Sequence, residues 1–93
     1  MRLDENEIKA IKGSIIEFDP FCEIYLFGSR TDMSKRGGDI DILILSQVLT
    51  YNDKIPILCR IFEQIEEQKI DLVIAKDTID PFVRLALKTG IKL

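Results

Sequence analysis

The chain has 93 residues, 46% of them hydrophobic and 31% charged, which bounds it to one small domain over residues 1–93 that buries about 60–65% of its unfolded surface. The formal net charge of −3 excludes a broad polynucleotide-binding face, because such faces carry a basic patch. There is no histidine, no CxxC pair, no signal peptide and no apolar run of 18 residues, which excludes a zinc site and a membrane span and predicts a cytoplasmic protein.

The first predicted helix starts at Asp4, because Asp4 with Glu7 three residues on makes a capping box. Ile8, Ile11 and Ile15 then recur at helical spacing. Asp19-Pro20 stops the helix, since the residue before proline avoids the helical region. Ile24-Tyr25-Leu26-Phe27 reads as the first strand and ends at Gly28. Residues 29–34 read as a short helical turn, and Lys35 to Gly38 as a loop. The second strand is Ile40 to Leu45. Ile40, Ile42 and Ile44 lie on one face, Leu43 and Leu45 on the other, so this strand is covered on both sides.

Asn52 or Asp53 caps the next helix, with Pro56 tolerated in its first turn. Ile55, Leu58, Ile61, Phe62 and Ile65 form its predicted apolar stripe. The third strand is Ile70 to Ala75. The last helix takes Asp80 as N-cap, Pro81 at its first position and Gly90 just past its end. Ile91 to Leu93 is a short edge strand or a loose tail. Cys22 and Cys59 read as small core residues in a reducing compartment.

A strand–helix–strand unit over residues 40–75 implies two parallel strands joined by a right-handed crossover. Both would start at the same edge of the sheet. For Gly28 to reach that edge, the first strand must run antiparallel to the second. The expected fold is therefore α+β: a small mixed sheet of three or four strands flanked by helices, with the second strand in the middle.

Three aspartates fall at those strand starts: Asp39 and Asp41 in Gly38-Asp39-Ile40-Asp41-Ile42, and Asp71 in Lys69-Ile70-Asp71-Leu72. Residues two apart in a strand share a face, so Asp39 and Asp41 aim the same way. Asp71 on the neighbouring strand completes a three-carboxylate cluster. Such a cluster repels itself unless a cation is present. Magnesium suits it, being held by a few carboxylates plus substrate phosphates. Two ions could clamp an in-line phosphoryl displacement. Gly28 permits close approach of backbone to a phosphate, and Ser29 offers a hydroxyl and amide groups at a helical turn. Arg30 could neutralise charge on a leaving pyrophosphate. Without histidine the general base must be a carboxylate, lysine, tyrosine or water, and Asp71 can serve.

The run Leu26-Phe27-Gly28-Ser29-Arg30, then Gly38-Asp39-Ile40-Asp41-Ile42-Leu43-Ile44, then Asp71, resembles the polymerase-beta-like nucleotidyltransferases. Within them it is most similar to the minimal nucleotidyltransferase (MNT) proteins of bacteria and archaea. The resemblance covers residues 24–75. It implies that fold, metal ligation by Asp39, Asp41 and Asp71, and triphosphate contact by Gly28 and Ser29. The chain departs from the family where Thr31 and Met33 replace small residues after the serine, and where Gly38 replaces a serine. MNT proteins often pair with a helical HEPN ribonuclease toxin. The resemblance thus implies an antitoxin that transfers AMP from ATP to a tyrosine of that partner. Larger members carry their own helical acceptor domain, so here the acceptor would come in trans.

Plain structural roles compete with these. Asp39 and Asp41 could be a polar strand end after a Gly-Gly turn, Asp71 a partner of Lys69, and Ser29 a helix cap. Arg30 is as well read as a surface ion pair, Lys35 and Arg36 as solvated loop charges, and Tyr51 as a loop-edge aromatic. Asp77 and Asp80 read as turn and cap residues. Two functional alternatives also stand: a binding module that neutralises its partner by association alone, and an aminoglycoside-type nucleotidyltransferase subunit. Homodimerisation through an exposed sheet edge is open.

Overall fold

Asp4 opens helix α1 (Glu5–Phe18) through a reciprocal cap. The Asp4 carboxylate accepts from the Glu7 amide at 2.8 Å and Glu7 accepts from the Asp4 amide at 3.3 Å. The computed structural model describes residues 4–28 and 40–93. The expected turn over 29–34 and the loop over 35–38 lie outside them. After α1 come β1 (Glu23–Phe27), β2 (Ile40–Leu45), a 3-10 turn (Tyr51–Asp53), α2 (Lys54–Phe62), β3 (Ile70–Ala75), α3 (Pro81–Thr89) and β4 (Ile91–Lys92). The strands form one mixed sheet in the order β3-β2-β1-β4. β2 pairs antiparallel with β1 and parallel with β3. The fold is α+β, as expected, with β2 in the interior.

Alternation along β2 divides the core. Ile40, Ile42 and Ile44 pack with Ile11 and Ile15 of α1, Ile57 and Ile61 of α2, and Ile70 and Leu72 of β3. Leu43 points the other way, onto Val83 and Ala86 of α3. Both β2 faces are thus covered, which accounts for its near-continuous apolar sequence. The tail is a strand rather than a loose end. β4 pairs with β1, and Lys92 lies 3.4 Å from Glu23. The Tyr25 hydroxyl and Lys92 hold the Glu23 carboxyl below its usual range. Gly90 makes the turn into β4 so close to the Leu26 carbonyl, 2.8 Å from where a Cβ would stand, that no side chain fits.

Two expectations need correction in the β2–α2 connection. Neither Asn52 nor Asp53 caps α2 by its side chain; the Asp53 carboxylate instead turns back to accept from the Thr50 amide at 2.8 Å. The cap therefore serves the 3-10 turn that precedes the helix. The buried stripe of α2 is also rotated. Ile55 is 68% exposed, whereas Ile57 and Ile61 are fully buried, and Leu58, Phe62 and Ile65 are partly buried beside them. The 3-10 lead-in sets the phase of the helix, and periodicity counted from Ile55 misses it.

Asp19 does more than end α1. It is buried, as is Ser46 just past β2. The Ser46 hydroxyl donates to Asp19 at 2.5 Å and accepts from the Leu49 amide at 2.9 Å. The other Asp19 oxygen accepts from the Phe21 amide at 3.0 Å. This joins the α1–β1 corner to the β2–α2 connection. Among the described residues no helix is long and apolar enough to cross a membrane.

Replacing Ser46 with Ala removes one partner of a buried carboxylate and one acceptor of a buried amide, so urea denaturation should register a loss of about 1–3 kcal/mol. Ile57→Ala should cost about 2–5 kcal/mol and Ile55→Ala less than about 0.5 kcal/mol. Equal costs at 55 and 57 would contradict the phase of α2.

Candidate functional site

Asp41 is the second residue of β2 and Asp71 the second of β3, and the two are direct partners in the parallel register. Paired residues on parallel strands project to the same face, with Cα atoms about 4.8 Å apart. Both carboxylates therefore leave the sheet on the side that carries α3, at the edge where β2 and β3 begin. Ile40 and Ile70 point into the opposite layer and are buried, which anchors the strand starts. Asp41 is half-buried and Asp71 exposed.

Gly28 reaches the same place from the other side. β1 runs antiparallel to β2 with Phe27 opposite Asp41, so the chain leaves β1 beside that carboxylate. Gly28 has φ +79°, a conformation other residues resist. A Cβ there would collide with Asp41 Oδ2. Glycine is thus required twice, for its torsion and for the space it leaves against the acid.

Of the six predicted site residues, then, Gly28, Asp41 and Asp71 converge. Ser29, Arg30 and Asp39 lie outside the described residues. Among the described residues no three acidic or cysteine side chains form a group that could hold a metal ion. The described share of the proposed triad is a pair.

A groove of about 210 Å³ adjoins Asp71 along β3, lined by Tyr51, Lys54, Ile55, Leu58, Ile70 and Leu72 as well. The Lys54 ammonium lies 4.7 Å from the centre of the Tyr51 ring, a cation–π distance. Treating Ile55 as core and Tyr51 as a loop-edge aromatic missed this groove. The signal that could have found it is the run Tyr51 to Ile55, with an aromatic, a lysine and an isoleucine at the entrance to a helix whose core positions are 57 and 61. Two larger recesses lie away from Asp41 and Asp71. One, of about 620 Å³, is between the start of α1 and the end of α2. The other, of about 500 Å³, is at the far edge of the sheet, beside Ser46 and Lys76.

Asp77 and Asp80 take the turn and cap roles expected of them. Asp77 accepts from the Ile79 amide at 3.1 Å, and Asp80 from the Phe82 amide at 2.8 Å. Cys22 is half-buried and Cys59 exposed. Burial, with Asp19 nearby, pushes the Cys22 thiol up.

No family model matches the chain, and no curated protein matches it.

Gly28→Ala should destabilise the fold by about 1 kcal/mol or more, because it imposes both a strained torsion and a clash. Gly13→Ala, on a helix with open space around it, should instead stabilise by about 0.5–1 kcal/mol. Chemical denaturation of the two variants checks this, and a neutral Gly28→Ala would deny the close approach to Asp41. In a second test, iodoacetamide at mildly alkaline pH should alkylate Cys59 faster than Cys22, read by peptide mass spectrometry. The reverse order would contradict the burial of Cys22.

Proposed function

We propose that the chain is a magnesium-dependent nucleotidyltransferase of the MNT type, which moves AMP from ATP to a hydroxyl of a helical HEPN-type partner and so acts as an antitoxin. The observation that carries this reading is the register of Asp41 against Asp71, with Gly28 folded against the Asp41 carboxylate. Two carboxylates on paired strand starts offer oxygen donors on one face of the sheet, the kind of set a divalent cation takes. A glycine at positive φ beside them is what close approach of a phosphate needs.

The donor set fits magnesium, which prefers carboxylate oxygens and substrate phosphates. Asp41 and Asp71 would hold the ion or ions, together with Asp39. Bound there, magnesium supplies charge neutralisation for the triphosphate and for the pyrophosphate that departs. Gly28 and Ser29 would receive the phosphates, and Arg30 the charge on the leaving group. Asp71, on the outer strand, accepts the acceptor's hydroxyl proton. The hydroxyl oxygen forms a bond to the α-phosphorus, the bond from that phosphorus to the bridging oxygen breaks, and pyrophosphate leaves.

One observation favours a second reading, in which the chain neutralises its partner by association alone. Ile79, Phe82 and Leu85 are exposed at and along α3, and grouped apolar side chains of this kind mark protein contacts.

Incubation of the purified chain with ATP, magnesium and the product of its neighbouring reading frame, followed by intact-mass spectrometry, separates the two. The enzymatic reading expects a nucleotide-sized gain on the partner, reduced about 10²–10³-fold by Asp41→Asn or Asp71→Asn. Protection of cells by the Asp39→Ala plus Asp41→Ala variant, with no mass gain, would leave association as the mechanism.

A further inference from the structure

We propose that the outer edge of β3 binds the acceptor as an added strand: an extended peptide segment that presents its hydroxyl residue level with Asp71. The inference rests on the nucleotidyltransferase reading and names how that site takes its second substrate.

The register decides which backbone groups are available. Ile40 N donates to Lys69 O at 3.1 Å, and Ser46 N donates to Ala75 O at 2.9 Å. In a parallel ladder this turns the peptide groups of residues 69, 71, 73 and 75 toward β2. Those of Ile70, Leu72 and Ile74 face outward. β3 is an end strand, and among the described residues these outward groups have no backbone partner. Ile70-Asp71-Leu72-Val73-Ile74-Ala75 contains no proline and no lysine, two of the devices that blunt a sheet edge, and Asp71 is its one charge. Alternating donors and acceptors at this spacing are matched by one kind of ligand, another extended chain.

Charge and position narrow the ligand. A strand laid along β3 alternates its side chains between the two faces. The residue opposite Asp71 projects on the Asp71 face, with its Cα about 4.8 Å away, where a serine, threonine or tyrosine hydroxyl meets the carboxylate that takes its proton. The residues before and after it project the other way, into the groove of Tyr51, Lys54, Ile55 and Leu58. That groove asks for an apolar side chain against Ile55 and Leu58 and for an acidic one against Lys54. Lys54 makes no ion pair among the described residues, and its ammonium lies at the groove over the Tyr51 ring. Gly28 and the phosphate side of the site lie across β2 from this edge. The two substrates therefore approach the aspartates from opposite sides, as in-line displacement requires.

The bond made and broken is that of the nucleotidyl transfer above: acceptor oxygen to α-phosphorus, pyrophosphate released, hydroxyl proton to Asp71. Two arms test the proposal with the full chain. The first is calorimetric titration of Mg·ATP, with Asp41→Asn plus Asp71→Asn as comparison. The second is an array of random seven-residue peptides with a central Ser, Thr or Tyr, incubated with the chain, magnesium and α-labelled ATP. Labelled peptides should carry an apolar residue on one side of the hydroxyl and an acidic one on the other. Remade with single N-methyl groups, they should lose at least tenfold in labelling at every second backbone position and little at those between. Lys54→Glu should switch the acidic preference to a basic one. Mg·ATP binding with no peptide labelled, or labelling without the two-residue alternation, overturns the docking and leaves the nucleotide site standing. Absence of Mg·ATP binding overturns both.

Discussion

The structure depends on the register between β2 and β3. Ile40, Ile42 and Ile44 on one strand, and Ile70 and Leu72 on the other, enter one core against α1 and α2. A slip of one residue would turn every one of these side chains to the opposite face. Burial therefore fixes the pairing, and the pairing sets Asp41 opposite Asp71. The acids are brought together by the residues between them rather than by any attraction of their own.

The same constraint sets what surrounds the pair. Because β1 runs antiparallel to β2, its last residue lies opposite Asp41 and the chain exits there at Gly28. Because β3 ends the sheet among the described residues, Asp71 lies at an edge strand that borders a groove, whereas Asp41 lies against Gly28. Two acids of identical chemistry thus acquire different neighbours. One lies against a tight backbone turn and the other on the outer strand. The far end of the sheet is closed differently, by the buried Asp19–Ser46 hydrogen bond. That bond ties both connections down where no chemistry is proposed.

Much of this was legible in the residues alone. The two-faced apolar run of β2, the Asp4–Glu7 cap, and Asp80, Pro81 and Gly90 around α3 each carry a local physical signal that nothing elsewhere overrides. The convergence of Gly28, Asp41 and Asp71 followed from strand direction and side-chain parity. What could not be read is tertiary. The phase of α2 is set by a 3-10 lead-in whose cap, Asp53 to Thr50, looks in sequence like any turn. Asp19 reads as a helix stop until Ser46, 27 residues away, is brought against it. The groove beside Asp71 exists only once Ile55 is known to point outward.

The central claim is that the Asp41 and Asp71 carboxylates form one cation-holding position beside Gly28. Titration of the isotopically labelled chain with manganese, followed by amide NMR, tests it most directly. The account predicts that the amides of Gly28, Asp41 and Asp71 broaden first, and that Asp41→Asn plus Asp71→Asn abolishes the effect. Broadening centred instead on the acidic recess at Asp4, Glu7 and Glu66, or unchanged by the double substitution, would contradict it.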